Sequence, residues 1–345
     1  MNVTAIARDW RTKVLAAMVA VATVFGMVMY IGNGSAEASP NRERLRPGCD
    51  FTDYNYWVQK CWVYSAAMDD EVPVEIVPSI HGNNKSLTLL DGLRMPLDGS
   101  DWTGLGDAPQ VFENANINLV MPGGAPASFY TDWDSPSASA QQPDGFNYQY
   151  ETFIAHELPQ YLNEHFGIDF GGNSIAGLSM GASAAFTFAN TYPEKWGQVL
   201  AYSGYLNPSS PAMASAIPLA MLDAGGYNAT DMWGTPGTGR WVENDPMLNV
   251  GTTAANGTDV YIAAGSGLPS NMVDPIILQD PVGQLTGVTL EAISMASTQQ
   301  YEVAARAAGV NLTTNYSFDG IHSWGTWNRD LWESKDHILN FLGGW

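Results

Sequence analysis

Two hydrophobic patterns take turns along the chain. Short apolar runs of strand length recur at Val72-Pro73-Val74-Glu75-Ile76-Val77, Ser86 to Leu90, Asn118 to Pro122, Ser174 to Leu178, Gln198 to Ser203, Asp259 to Ala264 and Asn311 to Phe318. Several end at Asp-Gly, Gly-Gly or similar turn residues, as strands buried on both faces do. Between them lie stretches with helical spacing. Tyr150 to Phe166 puts Phe153, Ile154, Leu158, Tyr161 and Leu162 on one face, and Ala182 to Thr191, Thr286 to Ala308 and Asp330 to Leu342 read as further helices. Strands alternating with helices predict an α/β fold, a mostly parallel central sheet with helices on both faces. Two regions break the alternation. Residues 125–147 are rich in Ser, Ala, Gln, Pro and Asp and read as a long loop. Residues 204–256 hold many Gly, Pro, Asn and Asp and read as an insertion or lid over the sheet.

The amino terminus has a different pattern. Arg8, Arg11 and Lys13 precede an apolar run from Val14 to Ile31, and Ala36-Glu37-Ala38 follows. This predicts a secretory signal over residues 1–38, cleaved after Ala38. An uncleaved anchor is the alternative, because the run is long enough to span a bilayer. Gly32-Asn33-Gly34-Ser35 and the Ala-x-Ala site favour cleavage. Residues 39–71 read as an N-terminal arm, and 72–345 as one catalytic domain. The two cysteines, Cys49 and Cys61, both fall in the arm. In an exported chain such a close pair reads as one disulfide pinning that segment. Two thiols without a nearby histidine do not complete a zinc shell.

Composition narrows the function classes. The 345 residues carry a formal net charge of -21, from 14 Lys+Arg against 35 Asp+Glu. Attraction to nucleic acid or to an anionic lipid surface through bulk charge is excluded as the basis of function. The 12 tryptophans suit a loop-rich enzyme with aromatic-lined clefts.

The strongest chemical signal is Gly177-Leu178-Ser179-Met180-Gly181, a G-x-S-x-G segment between an expected strand and an expected helix. That context turns the chain sharply and projects Ser179 above the sheet as a nucleophile, with the Met180 N–H placed for a developing oxyanion. A serine needs a base. His156, His165 and His337 lie on helices and His81 at a turn, where a solvated histidine is the ordinary reading. His322 follows the last strand, in Asp319-Gly320-Ile321-His322-Ser323-Trp324, after the serine in chain order, which fits a general base on this fold. For the acid that orients it, position offers Asp274 or Asp280, just after the Asp259–Ala264 strand, or Glu291 on the next helix. Position alone favours Asp274.

Beyond the elbow, a series of segments in chain order resembles the antigen 85 mycolyltransferases of mycobacteria and corynebacteria. They are Leu89-Leu90-Asp91-Gly92-Leu93-Arg94, Met121-Pro122-Gly123-Gly124, Ser128-Phe129-Tyr130-Thr131-Asp132-Trp133, Asp223-Ala224-Gly225-Gly226-Tyr227, Asp231-Met232-Trp233-Gly234, Asn244-Asp245-Pro246 and His322-Ser323-Trp324 with Trp327. The resemblance implies the α/β-hydrolase fold and a triad of Ser179, Glu291 and His322, with Glu291 chosen over Asp274 because its spacing to His322 is nearly the family's. It implies an oxyanion hole from the N–H groups of Leu93 and Met180, and a trehalose head-group site at Asp91, Arg94 and Trp324. The implied reaction passes a mycoloyl group through acyl-Ser179, from trehalose monomycolate to a second such molecule or to cell-wall arabinan, at the cell envelope and without metal or other cofactor. The sequence also departs from the family. The loop Ser135–Asn147 lacks the cysteine pair of mycobacterial members, the aromatic arm Tyr54–Trp62 looks corynebacterial, Ala264 stands where many relatives carry cysteine, and Pro96 replaces a polar residue near the sugar. A secreted carboxylesterase of the same fold and a non-catalytic host-binding surface protein are the competing readings.

Overall fold

Among the described residues, nine segments become strands of one sheet: β1 (Cys49–Phe51), β2 (Gln59–Ser65), β3 (Asp70–Val77), β4 (Ser86–Leu90), β5 (Asn118–Pro122), β6 (Asn173–Leu178), β7 (Trp196–Tyr202), β8 (Asp259–Ala264) and β9 (Asn311–Tyr316). The structure, a computed structural model, describes residues 39–270 and 281–345. The expected export signal (1–38) and the acid candidates Asp274 and Asp280 lie outside the described residues. The strand order is β1-β2-β3-β5-β4-β6-β7-β8-β9. From β5 to β9 neighbours run parallel, while β1, β2, β3 and β5 pair antiparallel.

Strand alternation sorts side chains into two cores. Ile175, Val199, Ala201, Val260 and Ile262 face one side of the sheet. Ala176, Leu178, Leu200, Tyr202, Tyr261 and Ala263 face the other. Five longer helices matter here: α1 (Leu158–Phe166), α2 (Met180–Thr191), α3 (Pro211–Asp223), α4 (Pro281–Ala308) and α5 (Trp324–Leu342). The first core is closed by Leu158 and Leu162 of α1, Phe186 of α2 and Tyr301 of α4. The second is closed by Trp102 and Phe112 of two short helical turns and by Trp327, Leu331 and Ile338 of α5. This is the α/β-hydrolase arrangement, with helices on both faces of a mostly parallel sheet.

The structure adds detail to the expected elements. The helix expected from Tyr150 opens with a short α-helical turn, Tyr150–Thr152, and passes through a π-helical turn over Phe153–Glu157 before α1, next to Pro159, which has no N–H for the regular ladder. The closing helix begins at Trp324 rather than Asp330. Residues 204–256 hold α3 and short helices at Ala229–Trp233, Arg240–Glu243 and Val250–Asn256, and their Met232, Trp233 and Trp241 join the first core. The segment read as an arm supplies β1 and β2. Cys49 and Cys61 are register partners across that pair and form a disulfide.

Candidate active site

The turn at Ser179 is built by what its neighbours lack. Ser179 sits at φ 53°, ψ -115°, between the end of β6 and the start of α2. A side chain at Gly177 would place its Cβ 2.1 Å from the Gly181 carbonyl oxygen, and one at Gly181 would fall 2.5 Å from the Asp91 carbonyl oxygen. Only glycine fits at either position. The Ser179 N–H donates to the Tyr202 carbonyl at 2.9 Å, tying the elbow to β7. Holding a non-glycine residue at positive φ costs on the order of 1–3 kcal/mol, which the surrounding packing must offset.

A continuous hydrogen-bond relay leads away from this serine. Ser179 Oγ lies 2.9 Å from His322 Nε2. His322 Nδ1 lies 2.8 Å from Glu291 Oε2. Glu291 is fully buried, yet well supplied with donors: its Oε1 accepts from the Ser203 hydroxyl at 2.7 Å and from the Gly265 N–H at 2.6 Å. Ser203 is held in turn by the Trp327 indole N–H, which donates to its Oγ at 3.0 Å. The imidazole is boxed by Trp327, edge-on at 4.9 Å, and by Tyr205 at 5.6 Å. The His322 backbone N–H donates to the Gly287 carbonyl of α4 at 3.0 Å. With Nδ1–H donating to the carboxylate, the Nε2 lone pair faces the serine hydroxyl, and the proton can pass from Ser179 to His322.

Sequence reasoning missed Ser203, Tyr205 and Gly265. Ser203 closes an expected strand, but nothing in its residue type marks a carboxylate partner. Its φ of 48° places the side chain, and a backbone angle is invisible in sequence. The other histidines stand elsewhere. His337 pairs with Asp259 at 2.9 Å, His156 packs on Tyr192 and His165 on Tyr161, and His81 lies exposed at its turn.

The loop after β4 lies over the elbow: a Cβ on Gly92 would stand 3.8 Å from Ser179 Cβ. Leu93, next in the chain, is half-buried and Arg94 is exposed. Arg94 pairs with Asp223 at the end of α3. Both partners are well exposed, so the pair adds little stability. Trp324 is half-buried at the start of α5, stacked edge-on against Trp102 at 5.3 Å and Trp327 at 5.2 Å. Asp91 is placed differently from the surface contact that a head-group residue suggests. It is fully enclosed, its Oδ2 accepts from the Ser100 hydroxyl at 2.5 Å, and its Oδ1 has no partner among the described residues. Burial, reinforced by the charges of Asp101 and Glu75, pushes its carboxyl well above the ordinary range, and the Ser100 hydrogen bond offsets only part of that. Against that same loop, where the Ala127 N–H donates to the Leu93 carbonyl at 3.0 Å, Ala127, Phe129 and Tyr130 all have positive φ. The Phe129 N–H points at Met180 Sδ, 3.3 Å away, and the Phe129 ring packs on Trp233 at 5.2 Å. Strain and aromatic packing therefore concentrate around Ser179, a pattern common at reaction sites.

Comparison with known proteins follows the same lines. Residues 65–338 match the esterase family. The chain is 34% identical over 332 residues to a diacylglycerol acyltransferase/mycolyltransferase, antigen 85A, of Mycobacterium ulcerans, spanning 96% of this chain and 92% of that one. It is 28% identical over 340 residues to antigen 85C of Mycobacterium leprae, spanning 98% and 95%. Among solved structures, MPT51 (FbpC1) of Mycobacterium tuberculosis superposes with a TM-score of 0.70 at 26% identity, covering 83% of this chain and 98% of that one.

Proposed function

The chain belongs to the antigen 85 family of acyltransferases/mycolyltransferases, and from that premise we propose that it moves a mycoloyl (long β-hydroxy acyl) group from trehalose monomycolate to a second trehalose monomycolate or to cell-wall arabinan. The observation that carries the reading is the unbroken relay from Ser179 through His322 to a fully buried, triply hydrogen-bonded Glu291.

The proposed reaction uses that geometry. Ser179 Oγ attacks the ester carbon while His322 Nε2 takes its proton, and Glu291 stabilises the resulting imidazolium. The negative charge on the former carbonyl oxygen is met by the N–H groups of Leu93 and Met180. The Met180 N–H opens α2 and so has no partner inside the helix. The tetrahedral intermediate collapses, the C–O bond to trehalose breaks, and the sugar oxygen takes the proton from His322. An acceptor hydroxyl then enters, gives its proton to His322 and attacks the acyl carbon. Ser179 leaves and recovers its proton. Arg94 and Trp324 fit the task of holding a neutral disaccharide by hydrogen bonds and ring contact. No step calls for a metal or cofactor. The disulfide of the amino-terminal hairpin supports action outside the cytoplasm, at the envelope.

The test is product analysis. Protein starting at Ser39 is incubated with trehalose monomycolate, with and without added trehalose. The expected result is the acyl group on a second sugar. Free acid alone, under both conditions, would make the protein an esterase.

A further inference from the structure

The aromatic residues of the amino-terminal hairpin are absent from the chemistry above. Phe51, Tyr54, Trp62 and Tyr64 are 42%, 53%, 41% and 58% exposed. On β2 the outward Trp62 and Tyr64 alternate with the buried Cys61 and Val63. Tyr54, in the loop between β1 and β2, reaches the last residue of the short helix Asp101–Gly104: its hydroxyl lies 2.6 Å from where a Cβ on Gly104 would be. Two residues on, a Cβ on Gly106 would fall 2.9 Å from Cζ3 of Trp324. One short turn of chain is therefore flanked by Trp324 and by Tyr54. The exposed rings begin where the candidate head-group site ends.

We propose that this hairpin is an acceptor subsite for an extended neutral oligosaccharide, with Tyr54 as its first stacking platform beyond the disaccharide site; this rests on the acyl-transfer reading above. The C–H faces of sugar rings pack on exposed aromatic faces, and sugar hydroxyls donate to carboxylates. Asp50 and Asp53 lie exposed in the same hairpin. The side chain of Asp98, paired with Lys60 beneath Trp62, is 81% exposed. Such a surface, on a chain of net charge -21, suits a neutral polyhydroxylated ligand and repels an anionic one. The Cys49–Cys61 bond and the pairing of β1 with β2 hold the rings in place before a ligand arrives. Binding then orders few side chains, which favours affinity.

The experiment compares wild type, Tyr54→Ala and Tyr54→Phe with trehalose and with an arabinose oligosaccharide several sugars long as acceptors. For Tyr54→Ala, kcat/KM toward the oligosaccharide is expected to fall roughly threefold to tenfold, the scale of one lost ring contact. Transfer to trehalose should stay within about twofold, and Tyr54→Phe should keep most of the oligosaccharide rate. Equal loss with both acceptors, or loss with neither, overturns the subsite. Direct binding of the oligosaccharide by saturation-transfer NMR separates the two ideas. If wild type transfers to no acceptor but Tyr54→Ala weakens binding, acyl transfer fails and the subsite stands. Unchanged binding sinks the subsite alone. Phosphatidylcholine vesicles supply the last arm: Tyr54→Ala losing vesicle binding while keeping the oligosaccharide would make this face a membrane contact and overturn the proposal.

Discussion

Around Ser179 each polar group is placed by another polar group, whereas in the hairpin of β1 and β2 the chain is held by a covalent bond and strand pairing, with rings left facing water. Glu291 is fixed by Ser203 and Gly265, and Ser203 by Trp327. The hairpin has Cys49–Cys61, the β2–β3 ladder and an edge-on pair of the exposed Phe51 with the half-buried Trp57. The difference teaches where damage should go. Substitutions in the relay should stop chemistry and leave the fold intact. Substitutions in the hairpin should weaken the fold or acceptor choice and leave the nucleophile reactive.

The sharpest test of that contrast is Ser179→Ala. Acyl transfer should fall by about 10³- to 10⁶-fold, in the range for lost nucleophiles. Labelling by a serine-directed fluorophosphonate should vanish, with thermal unfolding unchanged. Persistent labelling would place the nucleophile elsewhere. Glu291→Gln comes next, with an expected loss of roughly 10²- to 10⁴-fold in kcat, while Asp274→Asn should stay near wild type; the reverse ranking would move the acid to the segment before α4. Ser203→Ala removes one of three donors to a buried carboxylate and should cost about tenfold in kcat with KM kept, since charge-assisted hydrogen bonds are worth roughly 1.5–3 kcal/mol. A change in KM alone would make Ser203 part of substrate binding instead.

On the other side of the comparison, the double replacement Cys49→Ser with Cys61→Ser opens a loop of sequence separation 12. It should cost about 2–3 kcal/mol of stability, seen as a lowered Tm. The rate of fluorophosphonate labelling at room temperature should not move. A large drop in labelling would mean that the hairpin supports the relay after all.

The smallest effect concerns Asp330, the exception near the relay. It is fully buried one turn after Trp327, and neither carboxyl oxygen has a hydrogen-bond partner among the described residues. Burial first, and then the charge of Glu291, drive its carboxyl well above the usual range, with Arg329 offsetting part. A folded-state value above the unfolded one contributes stability that is fully present below the unfolded pKa, about 3.9, and is lost as pH rises toward the folded value. Asp330→Asn removes that loss. Its Tm should therefore gain over wild type as pH goes from 4 to 7, by about 2 °C, a shift that a kcal/mol produces in large domains. A gain that shrinks with pH would mean an ionised, partnered carboxylate.

Parts of this were legible in the sequence for physical reasons. Ser179 and His322 are marked by glycines that only a tight turn needs and by a position just past a strand end. Glu291 was not. Chain position favours Asp274, and only the family spacing pointed to a helix residue reaching back toward the sheet. β1 and β2 were missed because the outward positions of β2 hold Trp62 and Tyr64, so the period of two reads as one continuous apolar stretch. The start of α5 was missed because Gly325 lowers helix propensity, while the Trp327 N–H bonding to the Ser323 carbonyl decides the matter. The setting of Asp91 comes from Ser100 and Asp101 of the β4–β5 connection and from Glu75 on β3, residues distant in sequence that only the folded chain brings together.

The two rims of the sheet carry one more consequence. One rim is β1, only three residues long and preceded by Pro47-Gly48. The other is β9, Asn-Leu-Thr-Thr-Asn-Tyr, in which Leu312 is the single aliphatic side chain. Neither offers a long, flat, greasy edge on which a second molecule could add a strand. The nine strands among the described residues thus end on edges that do not seed fibrils, and lengthening β1 with alternating valines would be a direct route to making the protein polymerise.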